Sequence, residues 1–160
     1  HYTLYETLDA PHVIEPYSLF GMHPQYNASY SALSSTHIVT IDKSYVLAEL
    51  SKYTIFQLNF VNLLCNRTQT FYRRMWNTHI GNTQEKIINF LLLRCATTSG
   101  YKKLHARMED LANLLDDTRI NISKVLNDWK QQGLVSLSRR EIEIPDMNAL
   151  LTHNQSTDNI

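Results

Sequence analysis

From Ser44 to about His79 the chain carries neither proline nor glycine, and Leu47, Leu50, Ile55, Leu58, Val61, Leu64 and Cys65 return at helical spacing. The pattern predicts one helix or two. Tyr53 to Trp76 alone would extend roughly 36 Å at 1.5 Å per residue. Apolar residues fall on more than one of its faces, with Phe56, Phe60 and Leu63 beside the first stripe. A helix so long and so apolar needs a second surface, and another copy of the chain is the simplest supplier. Ile55, Leu58, Val61, Asn62 and Cys65 are the candidate dimerisation residues; the alternative is that the preceding segment covers the helix.

That segment, residues 1–44, is rich in Tyr, Val, Ile, Ser and Thr and is punctuated by Pro11, Pro16, Gly21 and Pro24. It reads as short strands and turns. The clearest strand is His37–Ile41, expected to be buried on both sides. Downstream, Gly81-Asn82-Thr83 interrupts the helical pattern as a hinge. Asn82 or Thr83 is the expected N-cap, and Glu85 lies in the first turn of a helix from Gln84 to about Cys95. An extended piece at Tyr101–His105 follows, then helices near Met108–Leu115 and Arg119–Gln132, with Gly133 where a helix-ending glycine belongs. Leu134–Ser138 and Glu141–Ile144 alternate apolar and polar residues around Arg139-Arg140 and predict a hairpin. The polar tail Asn154–Ile160 is expected to be disordered.

The informative stretch is MEDLANLLDDTRINISKVLNDWKQQGLVSL, residues 108–137. Leu111, Leu114 and Leu115 give the first helix one apolar face, and Ile122, Val125, Leu126 and Trp129 give the second its own. Between them Asp116-Asp117-Thr118 makes a tight polar turn, with Thr118 able to cap the second helix. This is the helix-turn-helix plan, whose second helix enters the major groove of DNA. The short strand before it and the basic-tipped hairpin after it make a winged version. Arg119, Asn121, Ser123, Lys124 and Asn127 lie away from the apolar face. Arginine can read guanine through two parallel hydrogen bonds, and Thr118, Asn121 and Ser123 suit phosphate oxygens. Arg139 and Arg140 would add two charges against the DNA backbone. The candidate DNA-binding set is therefore Thr118, Arg119, Asn121, Ser123, Lys124, Asn127, Arg139 and Arg140. Helix pairs with polar outer faces also occur in domains that bind protein, so a winged-helix interaction module without sequence-specific DNA binding is the alternative.

Charge refines this picture only modestly. The 160 residues have a formal net charge of zero. The first 50 hold five acids and one base, which leaves +4 for the remainder, and residues 101–140 are at +3. With 43% hydrophobic and 19% charged residues the chain has an ordinary globular composition. No Gly-rich phosphate loop, nucleophile elbow or close catalytic His/Asp/Ser arrangement is visible, so an enzyme is not expected. Cys65 and Cys95 lack the spacing of a zinc site and read as two buried, reduced thiols, and no metal site is expected. The longest apolar run, Phe90–Leu93, is too short to span a bilayer, so a cytoplasmic location is expected. The first residue is His1 rather than Met, as expected of a piece of a longer protein.

The order of these features resembles the Crp/Fnr family of bacterial transcription regulators, the cyclic-AMP receptor protein and its relatives, over nearly the whole chain. LFGMHPQYNASYSALSSTHIVTIDKSYV (residues 19–46) is similar to the last strands of that family's β-roll sensor, FVNLLCNRTQTFYRRM (60–75) to its long dimerising helix, and residues 109–137 to its DNA-binding domain. The resemblance implies an α+β fold: a partial β-roll of the cyclic-nucleotide-binding jelly-roll kind at 1–44, a long dimerisation helix at 45–80, a winged helix-turn-helix at 81–150 and a disordered tail at 151–160. It also implies a homodimer that acts on double-stranded DNA at a palindromic operator, with RNA polymerase as a further partner. The family's recognition helix commonly reads Ser/Thr-Arg-Glu-Thr followed by Arg; here Thr118, Arg119 and Asn121 take comparable places, Lys124 replaces the later Arg, and Ile120 stands where the family has its acid. Members that bind cyclic AMP carry Gly-Glu and Arg-Ser where this chain has Glu15-Pro16 and Tyr26-Asn27. Without that arginine a cyclic phosphate would be buried with no cationic partner, so cyclic AMP is not the expected effector. An iron–sulfur cluster needs about four cysteines, and His12, His23, His37 and His79 are haem ligands in residue type only. The cofactor is left open.

Overall fold

A computed structural model describes residues 1–76 and 81–157. The chain divides into two compact units, one of residues 1–10 and 71–160 and the other of residues 11–70.

The first unit is a small α+β domain. Three of its helices are α3 (Thr83–Arg94), α4 (Met108–Leu115) and α5 (Arg119–Gln131), and its strands are β1 (Tyr2–Glu6), β2 (Lys102–Ala106), β3 (Ser136–Ser138) and β4 (Glu141–Ile144). The strands form one antiparallel sheet in the order β1-β2-β4-β3. Alternation puts Leu4, Leu104, Ala106, Ile142 and Ile144 on the face that meets the helices. There they pack with Ile87, Phe90 and Leu91 of α3, Leu111 and Leu115 of α4, and Ile122, Leu126 and Trp129 of α5.

Two parts of this unit depart from the sequence reading. Residues 1–10, assigned above to the sensor segment, supply β1, which pairs with β2 from Tyr2↔Ala106 to Glu6↔Lys102. Side chains fix that register. Lys102 is fully buried, and its ammonium donates to Glu6 Oε2 at 2.9 Å, Thr97 Oγ1 at 2.9 Å and the Ser99 carbonyl at 2.8 Å. The same carboxylate accepts from the Ala96 and Thr97 backbone N–H groups. At the other end of β1, Tyr2 packs edge-on against Phe90 and its hydroxyl accepts from Arg94 Nε at 2.6 Å. The second departure is at the C-terminus, where the tail expected to be disordered from 151 instead continues α6 (Met147–Thr157). Asp146 starts this helix by accepting from the Asn148 N–H, and Met147 and Leu150 are shut into the core.

The second unit contains a 3₁₀ turn at Pro16–Leu19, α1 (Lys43–Ala48), a 3₁₀ turn at Leu50–Lys52 and most of α2 (Thr54–Trp76). The predicted long helix at 45–80 is thus a short helix followed by a long one, and residues 77–80 lie outside the described part. No strand is present in residues 11–70, so the partial β-roll read at 19–46 does not form among these residues. His37–Ile41, predicted to be a buried strand, is exposed, with Ile38 at 71% and Val39 at 84% of full accessibility. A strand needs a hydrogen-bonding neighbour, and no strand pairs with these residues. Phe20, Phe56 and Phe60 make a small aromatic group, and Val46 is buried.

A dense cluster of hydrogen bonds in this unit surrounds Glu15. Its carboxylate is buried and accepts from the backbone N–H groups of Asn27 and Ala28, from Asn27 Nδ2 and from the Tyr30 hydroxyl, at 2.9–3.1 Å. Burial works against the charge, but these donors prevail and hold the carboxyl below its ordinary pKa.

Candidate nucleic-acid interface

The site is built on the turn between α4 and α5. Helix α4 ends with Asp116 in the left-handed region, φ 48°, which lets the Asp117 N–H reach back to the Ala112 carbonyl at 3.1 Å. Thr118 then caps α5, its hydroxyl accepting from the Asn121 N–H at 3.1 Å. At the far end Gly133, φ 72°, permits two closing bonds, Gly133 N–H to the Lys130 carbonyl and Leu134 N–H to the Trp129 carbonyl. This is the Schellman arrangement, and it delivers the chain into the wing strands.

Asp117, not singled out from the sequence, is the hub of the turn. Its carboxylate accepts from Thr83 Oγ1 at 2.8 Å, Asn121 Nδ2 at 2.9 Å and the Thr118 N–H at 2.7 Å, with Lys86 Nζ at 3.7 Å. The Asn121 amide, then the other donors and the Lys86 charge, hold its carboxyl below the ordinary value against the opposing effect of burial. One side chain therefore ties the start of α3 to the turn that aims α5. Helix α3 is itself fixed by a reciprocal capping box between Asn82 and Glu85.

The predicted site residues fall into three groups. Lys124 and Asn127 are exposed on α5, opposite its buried face, with the Asn127 amide donating to the Ser123 carbonyl. Ser123 is half-buried on the flank, Thr118 is engaged as the cap, and Asn121 is held by Asp117. Arg119 sits at the start of α5 and contacts Glu109 of α4 at 3.2 Å, both side chains being about two-thirds exposed. Such a surface pair is worth at most about 1 kcal/mol and exchanges readily for another anion. Arg139 and Arg140 form the exposed two-residue tip between β3 and β4, Arg140 adopting φ 62°.

Arg119 and the wing tip line one open groove, together with Arg107 from the residue before α4. Arg107 was not singled out from the sequence because it falls in the link between strand and helix, where no pattern marks it. Glu109 and Glu141 also line the groove, so it holds four guanidinium and two carboxylate groups.

The candidate dimerisation residues Ile55, Leu58, Val61, Asn62 and Cys65 are all exposed on α2. The expectation of two buried thiols is corrected for Cys65, which is exposed, while Cys95 is buried. Among the described residues no group of three His, Cys, Asp or Glu is placed to hold a metal ion, and no helix is long and apolar enough to cross a membrane. His79 lies outside the described residues.

Two helices joined by a capped turn, a preceding strand and a basic-tipped hairpin define a winged helix-turn-helix domain. Residues 85–152 match the family of Crp-like helix-turn-helix domains. No curated protein matches the chain. Among solved structures, it is similar to a CRP-family transcriptional regulator from Thermus thermophilus, with 20% identity and a TM-score of 0.41 over 61% of this chain and 53% of that one. It is also similar to a protein from Ruegeria pomeroyi described as cyclic nucleotide binding, with 16% identity and a TM-score of 0.42 over 70% of this chain and 50% of that one. The chain thus spans about half the length of these structures.

Proposed function

We propose that this chain is part of a sequence-specific DNA-binding transcription regulator of the Crp/Fnr type, acting as a homodimer on a palindromic operator. The observation that carries the reading is the shared exposure of the α5 outer face and the arginine-lined groove beside it, on a Crp-like domain. Helix α5 enters the major groove, Lys124 and Asn127 face base edges, and Arg119 leaves Glu109 for guanine or phosphate. Arg107, Arg139 and Arg140 meet the flanking backbone, and Ser123 and the Thr118 end of the helix lie within reach of phosphate oxygens. Asn121 acts through Asp117 to hold the turn.

The homodimer reading is supported by α2, where Ile55, Leu58, Asn62, Cys65, Gln69, Tyr72 and Trp76 follow alternating steps of three and four, the spacing of a coiled-coil seam. Ile55, Leu58, Tyr72 and Trp76 are each more than half exposed. RNA polymerase is the further partner expected of a regulator of this type. Cyclic AMP is not the effector in this reading, because the donors around Asn27 and Ala28 are already taken by the Glu15 carboxylate.

Selection from a random DNA pool, followed by anisotropy titration of the wild type and Arg119→Ala, tests the proposal. A recovered two-half-site palindrome whose binding weakens at least about tenfold in Arg119→Ala is expected, the loss of one bidentate base contact. Salt-sensitive binding without an enriched sequence, or none at all, would overturn it in favour of a protein-interaction module.

A further inference from the structure

The exposed face of α5 carries one residue that neither charge nor hydrogen bonding accounts for. Ile122, Val125, Leu126 and Trp129 define the buried side of the helix. At 100° per residue, Ile120, Lys124, Asn127 and Gln131 (i, i+4, i+7, i+11) form the stripe directly opposite. Ile120 is 79% exposed, more than any other large apolar side chain in residues 83–157. It lies in the first turn, one residue after Arg119 and one turn before Lys124, the end of a recognition helix that approaches base edges most closely.

A lone exposed apolar residue on a protein surface is ordinary; its position is what gives this one meaning. Isoleucine is not favoured there by helix propensity, since its branched Cβ stiffens χ1 and makes it a poorer helix former than alanine, leucine or lysine. It belongs neither to the core cluster nor to the partly buried apolar residues packed against it. In the major groove the only apolar group that a base edge presents is the thymine 5-methyl, and aliphatic side chains read it by contact. A stiff, pre-positioned isoleucine between two cations suits that contact, because little rotamer freedom is lost when it forms.

We infer that Ile120 is a specificity-determining residue that reads the 5-methyl group of a thymine in the operator half-site. This rests on the DNA-binding reading and adds to it the class of base that the outermost stripe selects. The side chain excludes water from the methyl group while Arg119 and Lys124 hold the helix in the groove. Cytosine at that position lacks the methyl, and a purine there would place a polar ring edge against the isoleucine.

The test uses the full chain and the DNA selected as above, with each thymine of one half-site replaced singly by deoxyuridine, which removes the methyl and leaves base pairing intact. At one position uracil should weaken wild-type binding about fourfold, the factor for losing one buried methyl-sized contact. Ile120→Ala, whose melting transition should match the wild type because the side chain is exposed, should bind thymine and uracil DNA equally. Tight wild-type binding with no methyl-sensitive position, or a methyl effect that persists in Ile120→Ala, overturns the inference while leaving the DNA-binding reading intact. Absence of any binding by the wild type overturns both.

Discussion

In residues 83–157 Leu111, Leu115, Ile122, Leu126 and Trp129 are closed off from solvent, whereas in residues 11–70 Met22, Leu33, Ile38 and Val39 are each more than two-thirds exposed. The first region, completed by β1 from residues 1–10, has what its core requires: helix caps, a four-stranded sheet and interlocking apolar faces. The second contains strand-like sequence without strands to pair with, and a long helix with an uncovered seam. A hydrophobic pattern specifies a fold only where the partners for its backbone and its apolar face are both present.

Truncation of one apolar residue in each region should separate the two most strongly. Trp129→Ala should destabilise the winged-helix unit by about 3–5 kcal/mol, while Val39→Ala should change stability by less than about 0.5 kcal/mol, both read from urea melts. Equal effects would show that residues 11–70 have a core of their own.

Next in size is the lock between β1 and the rest of its unit. Glu6→Ala leaves the buried Lys102 ammonium without its carboxylate and should cost about 2–3 kcal/mol. Pairing Glu6→Leu with Lys102→Met should recover most of that loss, because two apolar side chains need no charge partner. Thr118→Ala, which removes the cap of α5, should cost about 1 kcal/mol in the same melts.

The smallest expected effect is on acid stability. The Asp117 carboxyl is held below its ordinary value in the folded state, so its contribution is complete above about pH 4 and is lost as the pH falls through the lowered folded value. Thermal melts from neutral pH down into the acid range should therefore fall less steeply for Asp117→Asn than for the wild type.

How much of this was legible in the sequence depended on the range of the interactions. The α4–α5 turn, the Thr118 cap, the Gly133 terminus and the Arg139-Arg140 hairpin follow local rules and were readable within a few residues. The pairing of β1 with β2, which sets Glu6 opposite Lys102 and Tyr2 opposite Ala106, joins the two ends of the unit across most of the chain and leaves no local trace. Lys102 was invisible as a buried residue because its burial depends on Glu6, Thr97 and Ser99 meeting in space. Helix α6 was hidden by polar residues around Met147, Leu150 and Leu151, although Asp146 after a proline is a recognisable start. Within the candidate interface, the exposed positions of Arg119, Lys124 and the wing arginines could be named from helical phase and turn position. Asp117 and Arg107 could not, because their roles come from elements packed around them.

Whether the α5 face and the wing arginines engage DNA is read out by the salt dependence of binding. Each phosphate neutralised contributes about −0.9 to the slope of log K against log salt concentration. A steep negative slope is expected for the wild type, becoming shallower by about 3.6 in the Arg139→Gln, Arg140→Asn double variant, because the homodimer then loses four phosphate contacts at about 0.9 each, with the selected sequence unchanged. An unchanged slope would contradict the placement of the wing on the DNA backbone.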